Sequence, residues 1–255
     1  MRIGVLVKQV PDTWGDRSLD VSNGRMDRDS GDQILDEICE RALETALQYK
    51  EVNGDVEVVV VSMGPAEATD GLRHALAMGA DSALQVLDDE LDNADALVTS
   101  EALAAVLRPE NFDIILAGNI STDGRGGWVP AMIAERLGMP CLGSVDDIDI
   151  SLGEVRAVRV ADAGSYRLRA ALPAIVTVTE RAPEPRLPGL RGTMGAKRKP
   201  LTVRSLAELG ISSSEPHSRV QSVTPRPARA PGVIVVDDGD GGTQLAQFLV
   251  DQGLG

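Results

Sequence analysis

The chain has 255 residues and a formal net charge of −14. At this length it is large enough for one big domain with its own core, and it contains no run of eighteen apolar residues that would predict a membrane-spanning helix, so we expect no direct membrane insertion. The acidic balance repels phosphate backbones, and only 2% of the residues are aromatic; together these properties disfavour nucleic acid as a partner.

Apolar runs and helical patterns alternate over the first part of the chain. The runs at 2–8, 54–64 and 112–118 are short and continuous, as in strands that are buried on both faces. Apolar residues at spacings of three and four indicate helices, for example over 36–51 and 95–107. Strands that alternate with helices of this length predict an α/β fold: a doubly wound, mostly parallel sheet flanked by helices.

The pattern changes after Pro140. Residues 155–178 consist of short β-prone pieces, which favour antiparallel ribbons or edge strands. From residue 202 onward the chain is rich in Ser, Pro and Arg, and it ends in a short helical pattern, TQLAQFLVDQG. Because this extended tail can bury little by itself, we expect it to lie on its own domain or on another chain.

The third apolar run leads into a glycine-rich turn, NISTDGRGG, and then into an amphipathic helix, WVPAMIAERLG. Gly124, Gly126 and Gly127 permit close approach of a ligand, and the free N–H groups at the start of the helix favour an anion such as a phosphate. Arg125 adds a positive charge. The alternative is a tight connection without a ligand. Neither G-x-G-x-x-G nor G-x-x-x-x-G-K-[ST] occurs, which disfavours hydride transfer from a dinucleotide and P-loop hydrolysis.

The loops after the three apolar runs should meet at one edge of the sheet. Ligands of open parallel sheets bind beyond the carboxyl ends of the strands, where these loops lie. The three loops contain VPDTWGD, MGP and the glycine-rich turn. Their convergence predicts a nucleotide pocket, and the alternative is ordinary crowding of loops at a sheet edge.

Catalytic groups are scarce. The two histidines, His74 and His217, fall in a helical segment and in the tail, so a Ser-His-Asp or Cys-His arrangement has few ways to assemble. For His74 we favour a surface or packing role over general-base chemistry. A nucleotide pocket without a visible nucleophile or base indicates binding, or a cofactor that supplies the chemistry.

Residues 181–200 form a basic segment in an acidic chain, with six basic residues and one acidic residue. Three prolines followed by three glycines predict an irregular exposed loop. Such a loop is either a solvated linker or a surface that docks on an acidic or redox partner.

The cysteines and the N-terminus indicate a reducing compartment. Cys39 and Cys141 show no C-x-x-C spacing, and the first residues meet an acid and a proline too early for a signal peptide. We therefore expect a cytoplasmic protein whose thiols pack as small apolar groups.

Seven motifs follow one another along nearly the whole chain. They are VLVKQVPDT at 5–13, DEICERALETAL at 36–47, VVSMGPA at 60–66, LRHALAMGAD at 72–81, GNISTDGRGGWVPAMIAERLG at 118–138, LPAIVTVTE at 172–180 and EPRLPGLRGTMGAKRKP at 184–200. Any one of them would be weak, but in this order they resemble the β subunit of electron-transfer flavoprotein.

The resemblance implies an adenine-nucleotide α-hydrolase-like fold and a heterodimer with an α subunit. It implies a redox-active FAD shared with the α subunit and a structural AMP in this subunit. Such proteins are electron carriers: they take electrons from flavin dehydrogenases, such as the acyl-CoA dehydrogenases of fatty acid oxidation, and pass them to a quinone oxidoreductase or another acceptor. Residues 1–200 would form the nucleotide-binding domain, with a partner-recognition loop at 182–200, and residues 201–255 a tail that packs on the α subunit.

Carried over position by position, the resemblance assigns three groups of residues. The AMP pocket falls on Leu6, Asp36, Glu37, Ile38, Cys39, Met63, Gly118, Asn119, Ile120, Ser121, Thr122, Asp123, Gly124, Arg125, Gly126, Gly127, Trp128 and Val129. The flavin-side contacts fall on Thr13 and Ile38. Partner recognition falls on Glu184, Arg186, the apolar anchor Leu190, Lys197 and Lys199. The resemblance implies no catalytic residue and no metal ligand.

This chain departs from the family's pattern near the pocket. Asp36-Glu37-Ile38 stands where many relatives have Asn-Pro and an aromatic residue, and Trp128 and Pro130 stand where Gln and Gly are frequent. Some relatives hold a second FAD in place of AMP and perform electron bifurcation. The sequence leaves open which of the two cofactors this chain binds. Two other classes also remain: an adenine-nucleotide-binding regulatory protein of the universal-stress type, and an enzyme that hydrolyses or transfers adenylate.

Overall fold

The computed structural model describes residues 1–15, 17–28, 31–212, 215–224, 227–229, 232 and 234–254. The strands of these residues are β1 (Arg2–Leu6), β2 (Gln9–Pro11), β3 (Leu19–Asp20), β4 (Arg25–Met26), β5 (Gln33–Leu35), β6 (Glu57–Met63), β7 (Ser82–Val86), β8 (Ile114–Gly118), β9 (Cys141–Val145), β10 (Asp147–Ser151), β11 (Glu154–Ala161), β12 (Gly164–Ala171), β13 (Ala174–Val178) and β14 (Leu201–Arg204). The helices are α1 (Glu37–Asn53), α2 (Ala68–Met78), α3 (Ala96–Leu107), α4 (Val129–Leu137), α5 (Leu190–Ala196) and α6 (Gly241–Asp251). Eight positions of the predicted tail, 213, 214, 225, 226, 230, 231, 233 and 255, lie outside the described residues.

Among the described residues, seven strands form one parallel sheet in the order β14-β7-β6-β1-β8-β13-β9. The chain starts in the middle of the sheet with β1, proceeds outward through β6 and β7, and then returns to the other side of β1 with β8. This reversal leaves a crevice at the carboxyl ends of β1 and β8, which is where ligands of such sheets bind. The predicted α/β fold with a doubly wound, mostly parallel sheet is confirmed.

Helices cover both faces of this sheet. One core packs α1 and α2 against one face, with Leu43 and Leu72 fully buried. The other core packs α3 and α4 against the opposite face, with Ile133 fully buried. Successive strand residues enter opposite cores, as Val58 and Val59 of β6 do, because side chains alternate along a strand.

Aspartates cap two of the helices. Asp36 Oδ1 accepts from the amide of Ile38 at 3.0 Å at the start of α1, and Asp95 Oδ1 accepts from the amide of Leu97 at 3.0 Å at the start of α3. Helix α4 differs, because no side chain caps its first turn, which contains Pro130. The N–H groups at the start of α4 therefore remain available.

The segment after Pro140 matches the prediction only in part. Strands β10, β11 and β12 form a separate antiparallel sheet, as the β-prone pieces predicted. Strand β13 was expected in an antiparallel ribbon or at an edge, and this expectation is wrong, because β13 lies between β8 and β9 inside the parallel sheet. All five of its residues are buried, which requires the continuous apolar run that its sequence shows.

The segment from residue 201 onward begins inside the fold. Strand β14 pairs with β7 at the edge of the parallel sheet, and Leu206 is buried in a core. Further along, the amides of His217 and Ser218 donate to Asp95 Oδ2 at 2.7 and 2.9 Å. Helix α6 has no buried residue. Leu209 and Ile211 pack against the same core as Leu206, so the part of the chain that could act as a tail starts after Ile211.

Candidate functional site

The loops after β1 and β8 lie side by side at the carboxyl edge of the sheet. The Lys8 ammonium is 2.8 Å from the Asp123 carboxylate, and the Arg17 guanidinium donates to the Thr122 carbonyl at 2.7 Å. The glycine-rich loop at 119–128 is thus held by side chains of the first loop, next to the reversal of strand order.

Asp36 joins the start of α1 to the same loop. Its side chain is fully buried, and its Oδ2 accepts from the amide of Thr122 at 2.6 Å and from the Thr122 hydroxyl at 2.8 Å. Since Oδ1 caps α1 at Ile38, both carboxylate oxygens are engaged within the chain. The structure therefore places Asp36 beneath the predicted pocket, as a support for its loop.

Asp123 carries a buried negative charge inside the loop. Its side chain is only 1% exposed and pairs with Lys8 at 2.8 Å and with Arg28 at 2.7 Å. Burial alone would raise the pKa of Asp123, but the adjacent Lys8 charge and the hydrogen bonds from Lys8, Ser121 and Arg28 hold it well below its ordinary value. Asp123 therefore stays ionised and ties the loop to two basic side chains.

The rim of the loop is exposed and positively charged. Residues 124–128 are all exposed, and among the described residues no partner joins the Arg125 guanidinium. Gly127 has φ 68°, and a Cβ there would lie 2.9 Å from the Asn119 carbonyl oxygen, so a larger residue would displace the turn. Trp128, 68% exposed, precedes the uncapped start of α4. A cation and free N–H groups thus lie together at the mouth of the crevice.

Among the buried side-chain nitrogen and oxygen atoms of the described residues, Oδ1 of Asn119 alone has no hydrogen-bond partner. This atom is buried and accepts no hydrogen bond, while the backbone amide of Asn119 donates to the Val178 carbonyl at 2.9 Å. Buried acceptors in native proteins almost always have a donor. Within the described residues, the side-chain oxygen of Asn119 therefore lacks the donor that such an acceptor normally has.

Three apolar residues assigned to the predicted pocket are buried. Leu6, Ile38 and Cys39 are buried, and Ile38 lies directly beside Gly118. Burial, and next the nearby Asp36 charge, raise the pKa of the Cys39 thiol to about 12, so this thiol is protonated at neutral pH and serves packing. Four more residues assigned to the pocket are half-buried: Met63, Ile120, Ser121 and Val129.

Of the two residues assigned to the flavin side, Thr13 contacts the residue that precedes Ile38. The Thr13 hydroxyl donates to Glu37 Oε1 at 2.7 Å, which connects the first loop to the start of α1. The next residue, Trp14, is 93% exposed. The structure thus links Thr13 to Glu37, the neighbour of Ile38, whereas Ile38 itself is buried. Trp14 is an exposed tryptophan that the sequence did not single out.

The basic segment at 181–200 is more ordered than predicted, since it contains α5. A Cβ at Gly192 would overlap the carbonyl oxygen of Ala77, so glycine allows α5 to lie directly on α2. Arg73 donates to the carbonyls of Ala196 and Lys199 at 2.7 and 2.9 Å. The expectation of an irregular loop is therefore wrong for residues 190–196.

Two of the residues assigned to partner recognition point into the fold. Arg186 pairs with buried Glu44 at 2.7 Å and also contacts Glu51, and these hydrogen bonds raise the pKa of Arg186. Lys199 donates to the carbonyls of Leu76 and Ala80 at 2.9 and 2.6 Å, and burial lowers the pKa of Lys199. Arg186 and Lys199 therefore fix the two ends of the segment.

The outer surface of the segment is apolar and basic. Leu187, Leu190 and Met194 are 91%, 86% and 76% exposed. Glu184 and Lys197 are also exposed. The structure thus leaves three of the five assigned residues, Glu184, Leu190 and Lys197, accessible to a partner.

Sequence reasoning missed the basic side chains that hold the glycine-rich loop. Arg17 and Arg28 lie in the long polar loop before β5, and their partners Thr122 and Asp123 are 105 and 95 positions away. No local spacing connects such residues. Lys8 was the one basic residue of this group that the sequence could have indicated, because it is a single lysine directly after a buried strand.

His74 contacts an acidic side chain of a neighbouring helix. His74 pairs with Glu40 at 2.9 Å between α2 and α1. No group of three or more His, Cys, Asp or Glu residues in the described ranges could hold a metal ion. None of the helices that the structure describes has the length and apolar character needed to cross a membrane.

Comparison with known proteins identifies the family. A family model described as an electron transfer flavoprotein domain matches residues 24–209. The chain is 45% identical to electron transfer flavoprotein subunit beta of Mycobacterium leprae and 44% identical to that of Mycobacterium tuberculosis, over 98% of each chain. It is 35% identical to the caffeyl-CoA reductase-Etf complex subunit CarD of Acetobacterium woodii, over 92% of each chain. The resemblance seen in the seven motifs is confirmed, and this chain belongs to the family of electron transfer flavoprotein β subunits.

Proposed function

We propose that this chain is the β subunit of a heterodimeric electron-transfer flavoprotein. It pairs with an α subunit, shares one FAD with it and holds an AMP of its own. The assembly carries electrons from flavin dehydrogenases, such as acyl-CoA dehydrogenases, to a quinone oxidoreductase or another acceptor. Family membership supports the role in electron transfer.

The unpaired side-chain oxygen of Asn119 carries the nucleotide part of this proposal. An unsatisfied buried acceptor costs about 1–3 kcal/mol of stability, and the amino group of adenine or a ribose hydroxyl would supply the missing donor. The exposed Arg125 and the free N–H groups at the start of α4 provide the positive potential that a phosphate requires. The residues present therefore fit an adenylate.

The redox chemistry of the proposed assembly is that of FAD. This chain would bind the cofactors and orient the flavin. Thr13 and Ile38 would face the flavin, on the surface that the Thr13–Glu37 hydrogen bond joins to α1. Asp36 and Asp123 would keep the adenylate loop in place. We therefore propose an electron carrier in which no side chain of this subunit acts as nucleophile, acid or base.

The exposed face of α5 suits brief contact with the dehydrogenases. Leu190 would act as the apolar anchor, with Lys197 and Glu184 beside it. Electron transfer needs a fast encounter more than a tight one, and charged rims speed such encounters at low salt. Arg186 and Lys199 would position this face.

Helix α6 would pack on the α subunit. Leu245, Phe248 and Leu249 are 59%, 49% and 37% exposed, and their spacing of three and four puts them on one side of the helix. We place the heterodimer in the cytoplasm, where the free thiols of Cys39 and Cys141 would stay reduced.

Co-expression with its cognate α subunit tests this proposal. We expect a yellow heterodimer that releases one FAD and one AMP on denaturation and that an acyl-CoA dehydrogenase reduces. Release of two FAD and no AMP would instead indicate the bifurcating type. A colourless homodimer that ignores the α subunit would support the universal-stress type of regulatory protein, and ATP consumption would support an adenylate-processing enzyme.

A further inference from the structure

An open groove of about 450 Å³ runs beside the three-stranded antiparallel sheet. One wall is the C-terminal half of α1, with Tyr49 and Val52, and the other wall is the consecutive stretch 146–150. The floor includes Ala182 and Pro183, at the start of the basic segment. None of the residues assigned to the nucleotide pocket lines this groove.

The main chain of β10 forms its wall. Side chains alternate between the two faces of a strand, so five consecutive residues can border one groove only if the strand presents its edge. Among the described residues, β10 pairs with β11 alone. The groove therefore opens onto a free strand edge.

The hydrogen-bond pattern shows which groups point into the groove. The carbonyl of Val158 in β11 accepts from the Asp146 amide at 2.7 Å, so Val158 directs its main-chain groups toward β10. Because residues of antiparallel strands alternate in this respect, Asp149 pairs with β11 while Ile148 and Ile150 turn their N–H and C=O groups away from it. These groups of Ile148 and Ile150 face the groove.

The free edge carries two aspartates that form no salt bridge. Asp147 and Asp149 are exposed on the outer face of β10. Arg156 lies opposite Asp149 on β11, but its guanidinium pairs with Glu154 at 2.5 Å, and no basic side chain of the described residues forms a salt bridge with either aspartate. Asp146 is already engaged, because it accepts from the Thr179 hydroxyl at 2.6 Å and lies 3.7 Å from Arg181. Basic side chains on an added strand would lie directly across from Asp147 and Asp149.

We propose that an extended, positively charged segment of the α subunit adds to β10 as a fourth strand. Strand addition takes its affinity from main-chain hydrogen bonds, and side chains at alternate positions set its specificity. Strand addition orders several residues in both partners. Such ordering suits a permanent interface between subunits better than a brief encounter with a dehydrogenase. The inference rests on the proposed heterodimer and names the surface that holds it together.

Proline at the free edge tests the proposal in the co-expressed heterodimer. Ile148→Pro removes an N–H group that β11 does not use, so the strand pairing within the chain should persist while the added strand is blocked. We expect the affinity for the α subunit to fall at least tenfold. In the wild-type heterodimer, the Ile148 amide should exchange its hydrogen at least a hundredfold more slowly than in an unstructured peptide.

Val203→Pro is the matched control. The carbonyls of Pro200 and Arg204 pair with β7, so Val203 turns its amide away from the parallel sheet. The affinity of the Val203→Pro variant for the α subunit should therefore equal that of the wild type. Equal affinities for both proline variants, or an Ile148 amide that exchanges as freely as in a peptide, would overturn the proposal.

Charge reversal gives a second test if Ile148→Pro fails to fold. Asp149→Lys should weaken assembly at least fivefold at low salt, whereas Asp92→Lys, an exposed acid beside α3, should not. Identical affinities for these two variants would show that the aspartates only protect a free edge. Failure of the wild-type chain to assemble with the α subunit at all would instead refute the proposed function.

Discussion

Two side chains of the glycine-rich loop show what burial demands of a polar group. The Asp123 carboxylate is buried with two basic partners and several hydrogen bonds. The Asn119 side-chain oxygen is buried with no donor at all. A folded chain tolerates the first because its charge is compensated, whereas the second lowers stability until something donates to it. Asp123 therefore acts as a support of the loop, and Asn119 is the residue that we propose for contact with the nucleotide.

Replacement of Asn119 by leucine should remove the bound nucleotide without unfolding the chain. Leucine has similar size but offers no acceptor, and Oδ1 makes no hydrogen bond that the fold would lose. We expect the AMP released from the purified heterodimer to fall at least tenfold, with FAD content unchanged. Chromatography of the acid extract measures the AMP content, and the visible spectrum measures the FAD content. Asn93→Leu, at an exposed loop position, is the control, and full AMP content in Asn119→Leu would refute this role.

Replacement of Asp123 by asparagine should lower stability in a pH-dependent way. The pKa of Asp123 lies below its ordinary value of 3.8, so its stabilising contribution is fully present above about pH 4 and is lost as the pH falls further. Because Lys8 and Arg28 are 40% exposed, we expect a loss of about 2 kcal/mol at pH 7 rather than the full value of a buried pair.

Urea denaturation at pH 7 and at pH 3 measures this loss. The difference between wild type and Asp123→Asn should shrink at the lower pH, because there the Asp123 carboxyl of the unfolded wild-type chain binds a proton while that of the folded chain stays ionised. Asp162→Asn, at the exposed turn between β11 and β12, is the control and should change the stability at neither pH. A difference that is equal at both pH values would contradict the assignment of Asp123 as an ionised support.

At the scale of elements, α5 shows how glycine can favour a helix through packing. Glycine lowers intrinsic helix propensity, yet at Gly192 the missing side chain lets α5 contact the backbone of α2 at Ala77. Arg73 and Lys199 then tie the two elements together. The apolar face that remains is the one that carries Leu190. The segment is thus rigid at its base and exposed at its outer face.

Loss of Arg186 should loosen the entry to this segment. Arg186→Ala leaves the Glu44 carboxylate buried without its cation, which should cost about 3 kcal/mol of stability. Arg186→Lys should restore only part of this, because lysine cannot form the two parallel hydrogen bonds to Glu44. Chemical denaturation gives the stability, and limited proteolysis should show faster cleavage near residue 187. The exposed Arg191→Ala is the control; if it and Arg186→Ala prove equally stable, Arg186 has no anchoring role.

Leu190→Ala should affect only the encounter with the dehydrogenase. Leu190 is 86% exposed, so its truncation should leave the stability and the flavin spectrum of the heterodimer unchanged. We expect reduction by an acyl-CoA dehydrogenase to slow at least tenfold, as measured by stopped-flow absorbance. Leu152→Ala, at a fully exposed turn between β10 and β11, provides the comparison. Equal rates for the two variants would remove Leu190 from the docking surface.

At the scale of the whole molecule, the sequence predicts what local patterns determine. The apolar runs of β1, β6 and β8 lie within single segments, and the structure has strands there as predicted. The interior place of β13 was missed, because the same β-prone run fits an edge strand equally well. The pairing of Arg186 with Glu44 joins residues 142 positions apart, and no periodicity reports such a contact. The unpaired oxygen of Asn119 is likewise visible only after the chain has folded.

Helix α6 provides the last prediction, since it contributes nothing to the core that the rest of the chain builds. Its residues are all unburied, so Phe248→Glu should leave the stability of the isolated chain within about 0.5 kcal/mol of the wild type. In the heterodimer the same change would bury a charge against the α subunit, and we expect the affinity to fall at least tenfold.

Gln247→Glu adds the same charge on the polar side of α6 and is the matched control. Sedimentation of each variant with the α subunit measures the affinity, and urea denaturation of each variant alone measures the stability. If Phe248→Glu assembled as tightly as Gln247→Glu, the apolar side of α6 would not be an interface. If Phe248→Glu destabilised the isolated chain instead, α6 would belong to the fold of this subunit rather than to its contact with the α subunit.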